Sequence, residues 1–238
     1  MRVAVLTTDT IHHNFFVREL AQIYSDISVF IETESIQPRF TVAHPFEKER
    51  DIYECNTLFG GTKPHLEDFA SCSSYQNIND DAATDEIKSL NPDVVLVFGT
   101  GIIKSPLLSL MNQRIINLHG GDPEFYRGLD SHLWTIYHND FDHLTTTIHH
   151  VNRHLDDGRI IMKMNIPIYK NMKLYHLRKS NTDVCIKLVR YALNIFQNEG
   201  TFPSIPQNNT GRYYSFMPSV LKDVCITSFE KHTGGLHD

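Results

Sequence analysis

An amide and an imidazole two positions apart, Asn117 and His119, close the apolar run at residues 114–119 (RIINLH). On a β-strand, positions i and i+2 face the same side, so the two side chains project together. Open parallel sheets bind ligands beyond the carboxyl ends of their strands, which is where this pair falls. An imidazole there can move a proton near neutral pH, and an amide can donate to an oxygen that develops negative charge. Strand-end Asn and His also commonly do no more than satisfy loop backbone, and the pair by itself leaves both readings open. The second feature is His154-Leu155-Asp156-Asp157-Gly158-Arg159-Ile160, between two strand candidates. Asp before a glycine turn is ordinary turn chemistry. Beside a histidine, Asp156 can instead orient the ring and hold its protonated form.

Such side chains need a sheet to position them. Residues 2–7 (RVAVLT) read as a buried parallel strand, residues 15–23 as a helix and residues 27–31 (ISVFI) as a second strand. Residues 38–78 carry no clear period and read as helix fragments and loops. A helix is predicted at 80–90, with Asn79 or Asp80 as N-cap. A central strand follows at 94–98 (VVLVF), then the loop Gly99-Thr100-Gly101. Ser105-Pro106 introduces a short helix. Helices are further predicted at 129–138 and within 174–196, and strands at 145–151 and 159–168. After Gly200 turn residues dominate, and 212–217 and 220–227 read as a terminal strand pair. The pattern is α/β: a Rossmann-like, mostly parallel sheet with helices on both faces. Residues 1–200 are expected to form the main domain, the catalytic one if the chain is an enzyme, and 201–238 a C-terminal extension.

The 238 residues, 41% hydrophobic and 21% charged, suit one globular domain with a modest appendage. A formal charge of −6 argues against a nucleic-acid partner. None of Cys55, Cys72, Cys185 and Cys225 lies in a CxxC pair, so free thiols in a reducing compartment are expected. Neither a signal peptide nor a membrane-length apolar run is visible, and a cytoplasmic protein with no membrane partner is the expectation.

Asn117-Leu118-His119, Tyr126-Arg127-Gly128, a histidine-bearing strand through His149 and Asp156-Asp157-Gly158-Arg159-Ile160 follow one another in order. In order and intervening length they resemble the 10-formyltetrahydrofolate-dependent formyltransferases. That family includes the glycinamide ribonucleotide, methionyl-tRNA and sugar N-formyltransferases. The resemblance covers about residues 1–196 and is strongest over 94–168. It implies the formyltransferase fold, 10-formyltetrahydrofolate as co-substrate, no metal, and Asn117, His119 and Asp156 as catalytic residues. It further implies that the folate pterin lies between two loops. One holds Gly101, Ile102, Ile103 and Lys104; the other holds Val151, Arg153 and Leu155. Gly101 would let the ring approach closely, the alternative being that Gly99 and Gly101 only turn the chain. Most members carry a Pro-Ser-Leu-Leu-Pro-like run after the histidine. Gly120-Gly121-Asp122-Pro123-Glu124 stands here instead, which points to a different acceptor side.

The implied chemistry is attack of a neutral amine on the formyl carbon. Asn117 and protonated His119 stabilise the developing oxyanion, while His119 and Asp156, directly or through water, move the protons. The acceptor is expected against Asp9, His12, His13 and Asn14, against Asp122, Tyr126 and Arg127, and against Arg212, Tyr213 and Tyr214 of the tail. Two readings stand for Arg127, a diphosphate clamp or a packing element, and two for the tail, a nucleotide-binding face or an edge strand. A methionyl-tRNA formyltransferase resembles the chain in its first domain but adds a tRNA-holding C-terminal domain, and the purine enzyme opens on a Gly/Ser-rich loop unlike residues 7–13 (TTDTIHH). A formyltetrahydrofolate hydrolase has a regulatory domain for which no room is seen before Arg2. A nucleotide-linked amino sugar such as GDP-perosamine remains, its N-formylated product serving surface polysaccharide such as lipopolysaccharide O-antigen. The glycinamide ribonucleotide and methionyl-tRNA activities are the alternatives. A dinucleotide-dependent oxidoreductase lacks its glycine fingerprint, since Lys104 stands at the third glycine. A metallohydrolase has no HExxH, and His149 and His150 point to opposite faces of their strand. A non-catalytic binding module would not need a complete Asn-His-Asp set. Exposed aromatics in the tail raise a homodimer as an open possibility.

Overall fold

Two runs that are apolar or nearly so at every position, VAVLT and VVLVF, are buried on both faces, as parallel strands covered by helices must be. They are β1 (Val3–Thr7) and β4 (Val94–Phe98), adjacent and parallel at the centre of the sheet in a computed structural model that describes residues 1–237. Around them lie β2 (Ile27–Glu32), β3 (Ser71–Tyr75), β5 (Ile115–His119), β7 (Thr145–His150) and β8 (Ile160–Asn165), in the order β3-β2-β1-β4-β5-β7-β8. Pairing is parallel from β3 to β5 and antiparallel at β5–β7 and β7–β8. A separate parallel pair joins β6 (Tyr126–Gly128) to β9 (Arg212–Tyr214).

Helices cover both faces, as the alternating pattern predicts. On one face α1 (Ile11–Ala21) and α6 (Leu177–Glu199) bring Phe16, Val17, Leu20, Val184, Leu188 and Ala192 onto Val3, Val5 and Leu96. On the other, α3 (Asp81–Leu90) and α4 (Leu107–Met111) bring Ala83, Ile87, Leu107 and Met111 onto Ala4, Leu6 and Val97. A third cluster joins α2 (Pro45–Phe59), α5 (Ser131–Tyr137) and α7 (Ser219–Gly234) through Phe46, Ile136, Cys225 and Phe229.

Two stretches differ from the sequence expectation. Residues 38–78 hold a continuous 15-residue helix, α2, and the edge strand β3. The His44–Glu47 capping box, Pro45 in the first turn and left-handed Gly60 at the end delimit α2. It buries only Phe46, Glu54 and Leu58, too few to leave an apolar stripe in the sequence. The polar β3 (SCSSY) is a strand because β2 offers it an edge. In the tail, 212–214 is a strand as expected, but its partner is β6, and the predicted second strand at 220–227 is helix α7. The buried residues Lys222, Cys225, Phe229 and Thr233 follow a helical period, whereas the β-branched Val220 and Val224 that suggested a strand are exposed.

Candidate active site

β5 is the seam of the sheet, parallel to β4 on one side and antiparallel to β7 on the other. Asn117 lies opposite His149 and His119 opposite Thr147. Between Ile148 and His149 the pairing with β8 shifts register, a bulge of the kind that re-aims a side chain. His149 Nδ1 donates to the His150 carbonyl at 2.8 Å, which leaves Nε2 facing Asn117 Nδ2 at 3.2 Å.

The chain then folds back over the strand ends. Gly158 permits this, because a β-carbon there would overlap the His150 carbonyl oxygen. Asp156 holds a left-handed φ of 50°, a conformation Asp tolerates better than most residues. Its Oδ2 accepts from Gly128 N at 2.8 Å and lies 3.6 Å from His119 Nδ1. Its Oδ1 lies 3.5 Å from both Asn117 Nδ2 and His149 Nε2. Burial alone would raise the Asp156 carboxyl. The His119 ring and the Gly128 N–H outweigh it and hold the group well below the usual carboxylate range. On its other side His119 Nε2 donates to the Tyr126 carbonyl at 2.8 Å, so both ring nitrogens face acceptors, the complement of a doubly protonated ring. Asn117 Nδ2 carries two hydrogens. One points to His149, and the 3.5 Å contact of the other to Asp156 is long enough to yield to an incoming oxygen.

Asn117, His119 and Asp156 therefore meet, and they do so at the wall of a cleft of 560 Å³. Gly101, Ile102, Ile103, Val151 and Leu155 line the same cleft. The first of these loops is clasped from behind: Gly101 N donates to Glu32 at 2.6 Å, and the Asn79 side chain holds Ile102 O and Lys104 N. Lys104 and Arg153 are exposed and do not line the cleft.

On the acceptor side only His12, His13 and Tyr213 of the expected residues line it. His13 offers no positive charge to a phosphate: burial, with the Arg178 charge behind it, pushes its ring down to about 3, and its Nδ1 is engaged by the Thr8 and Thr10 hydroxyls and the Thr8 carbonyl. Asn14 is fully buried and donates to Pro64 O. Asp9 pairs with Lys63, and Asp122 is buried against Lys163. Tyr126 is buried with its hydroxyl on Asp140, while Tyr214 stacks on Trp134. Arg212 lies over the Tyr214 ring. Arg127 is buried among protein partners: it donates to Pro123 O and Gln207 and pairs with Asp157 at 2.9 Å, the arrangement of a packing element.

Several lining residues had no sequence signal: Arg50 of α2, Arg178 and Asn181 of α6, and His132 of α5. They become neighbours only when α2 and α6 pack across the strand ends. His149 was locatable, since it alternates with Thr147 on one face of β7, the same sheet face as Asn117 and His119. Among the described residues no group of three or more His, Cys, Asp or Glu is placed to hold a metal ion, and no helix is long and apolar enough to cross a membrane.

Residues 35–189 match the formyl transferase family. A methionyl-tRNA formyltransferase of Clostridioides difficile is 27% identical over 155 residues, which are 65% of this chain and 49% of that protein. The chain spans about half the length of the curated methionyl-tRNA formyltransferases it matches. Among solved structures, a sugar N-formyltransferase from a Shewanella species superposes with a TM-score of 0.64 at 15% identity, covering 96% of this chain and 88% of that one. The formyltransferase PseJ from Anoxybacillus kamchatkensis, in complex with UDP-4,6-dideoxy-4-formamido-L-AltNAc and tetrahydrofolate, superposes with a TM-score of 0.53 at 20% identity, covering 90% and 86%. With nearly two thirds of its length inside the family match and the sheet, seam strand and cleft in place, this chain belongs to the formyl transferase family.

Proposed function

We propose that the chain transfers the formyl group of 10-formyltetrahydrofolate to the amine of a nucleotide-linked amino sugar, GDP-perosamine being the first acceptor to test. The observation that carries the reading is the meeting of Asn117, His119 and an ionised Asp156 at one cleft. When an amine attacks the formyl carbon, the oxygen gains negative charge. The second hydrogen of Asn117 Nδ2 and the protonated His119 ring, supported by Asp156, stabilise it. The amine must lose a proton and the departing folate nitrogen must gain one, and the His119–Asp156 pair serves both transfers. Residues 99–103 and 151–155 would hold the folate, chiefly by main chain. Residues 1–200 act as the catalytic domain, with 201–238 as an extension that closes its cleft.

Three features support the acceptor class. Arg50 and Arg178 line the cleft, and their Nη1 groups carry no hydrogen bond among the described residues, which suits a diphosphate. Tyr213, 61% exposed, and Phe216 offer ring faces for a base. The PseJ structure holds a formylated nucleotide sugar in the same fold. The test is an acceptor screen with 10-formyltetrahydrofolate, comparing nucleotide-linked amino sugars, the free amino sugars, glycinamide ribonucleotide and methionyl-tRNA. Remote binding energy from the nucleotide should raise kcat/KM strongly. Equal use of free and linked sugars, or preference for glycinamide ribonucleotide or methionyl-tRNA, overturns the acceptor class.

A further inference from the structure

His132 is the second residue of α5. It lines the same cleft as His119 and lies against the chain segment that follows His119. Its Nε2 is 2.9 Å from the Thr145 carbonyl. A carbonyl only accepts, so Nε2 carries the hydrogen and Nδ1 is a lone pair. That Nδ1 has no hydrogen-bond partner among the described residues, and it is not among the sealed, unsatisfied side-chain atoms. It is therefore an acceptor open to the cleft. Burial foremost, and then the His119 charge, push the His132 ring down to about 4, against the pull of the Thr145 carbonyl, so the lone pair persists at neutral pH.

The local sequence is shaped around this ring. A β-carbon on Gly120 would lie 2.9 Å from His132 Cε1 and 3.3 Å from its Nδ1. One on Gly121 would lie 2.9 Å from His119 Nε2 and 2.8 Å from Ser131 Cβ. Any side chain at 120 would push His132 away from the cleft, and any at 121 would disturb His119 and the start of α5. The Gly120-Gly121 pair, which departs from the run expected after the histidine, is what lets the two imidazoles share one wall.

The geometry points to His132 Nδ1 as the group that accepts a hydrogen bond from the attacking amine of the acceptor, holding its lone pair towards the formyl carbon beside His119. The proposal rests on the formyl-transfer reading above. It assigns to one residue the orientation of the nucleophile: an acceptor-only atom holds an amine that presents a hydrogen and offers nothing to a group that cannot donate.

Two amide variants separate this role from a structural one. In His132→Gln the side-chain Nε2 can still donate to Thr145 O, but no acceptor remains at the δ position. In His132→Asn the Oδ1 can stand at the Nδ1 position, but the bond to Thr145 O is lost. Both are assayed with 10-formyltetrahydrofolate and GDP-perosamine, and folate affinity is measured separately by titration with tetrahydrofolate. Loss of one hydrogen bond to the substrate in a desolvated site corresponds to about tenfold or more. The expected result is that His132→Gln loses at least about tenfold in acceptor kcat/KM with folate affinity unchanged, and that His132→Asn recovers most of that loss. Wild-type behaviour of His132→Gln, equal losses in the two variants, or a parallel loss of folate affinity overturns the proposal while leaving formyl transfer standing. Absence of any formylated product with every amine in the wild-type screen overturns the functional reading, and this proposal with it.

Discussion

Asp156→Asn removes one charge and changes little else. The amide oxygen can keep the Gly128 N–H bond of 2.8 Å, so the loop retains its anchor. What disappears is the carboxylate 3.6 Å from His119 Nδ1. At an effective dielectric of about 20, an ion pair at that separation is worth roughly 4–5 kcal/mol. That figure is a ceiling on the support the carboxylate gives a protonated His119, because the amide dipole recovers part of it. A loss of about 2–4 kcal/mol of transition-state stabilisation corresponds to a fall in kcat of roughly 30-fold to 1000-fold. The new amide NH2 would also face Asn117 Nδ2, now 3.5 Å from Oδ1, and donor against donor should turn the Asn117 amide away. The assay follows release of tetrahydrofolate by absorbance, with thermal unfolding as the check that the variant is folded. Asp156 would be only a turn residue if a folded Asp156→Asn variant kept its rate within about threefold, and the electrostatic reasoning would then be refuted.

Gly158→Ala should be among the most destabilising single changes in the chain, costing about 3 kcal/mol or more, because the new β-carbon overlaps the His150 carbonyl; an unchanged melting temperature would contradict the loop geometry. Arg127→Met should lower stability by about 2–4 kcal/mol, since Asp157 and Pro123 O lose their buried partner, while the acceptor KM of the folded fraction moves little; a large rise in that KM would return Arg127 to the acceptor site. His13, at about 3, and His132, at about 4, bind protons less readily folded than unfolded. Their contribution to stability is therefore complete above the unfolded value of about 6.5 and declines as pH falls from there towards 4 and then 3. Denaturation midpoints should drop steadily over that window, and the drop should shrink in His13→Phe; a pH-independent midpoint would show that both rings protonate freely in the native state. Asp156, held below the usual carboxylate range, should add nothing to the decline near pH 6.

What the sequence revealed and what it hid divide along a physical line. The central strands are legible because burial on both faces makes them apolar at every position, as in VVLVF of β4. Asn117 and His119 are legible because polar side chains at the end of such a strand have little structural reason to be there, and Asp156 because Gly158 marks the turn that carries it. Long-range packing is not legible. α2 is bounded by caps but has no stripe, so its presence rests on contacts with α6, among them the Arg178 pairing with Asp51 and the fully buried Glu54. Arg127, Asp122 and Tyr126 have the residue types of a ligand site, yet each is satisfied by a partner far along the chain: Gln207, Lys163 and Asp140 respectively. Donor and acceptor inventories can be read from a sequence; whether a partner already occupies them cannot.

The position of the site follows from the reversal of strand direction between β5 and β7. A wholly parallel sheet would put the start of the next strand on the far side of a crossover, well away from the end of β5. Here β7 runs antiparallel to β5, so its carboxyl end lies at the amino end of β5, with His149 opposite Asn117 and His150 opposite Ile116. The loop after β7 must therefore travel back along β5 to bring Asp156 to His119. The shift at Ile148/His149, the left-handed Asp156 and the close approach of Gly158 to His150 are the three irregularities that shorten that return. Local strain of this kind persists where surrounding structure over-determines it, and here Gly128 N–H, His119 and Gln207 all fasten the same loop. The carboxylate thus reaches the imidazole because backbone irregularity, antiparallel pairing and the packing of β6 act on one short segment. That is why it is the loop, rather than the strand, whose alteration should cost both stability and turnover.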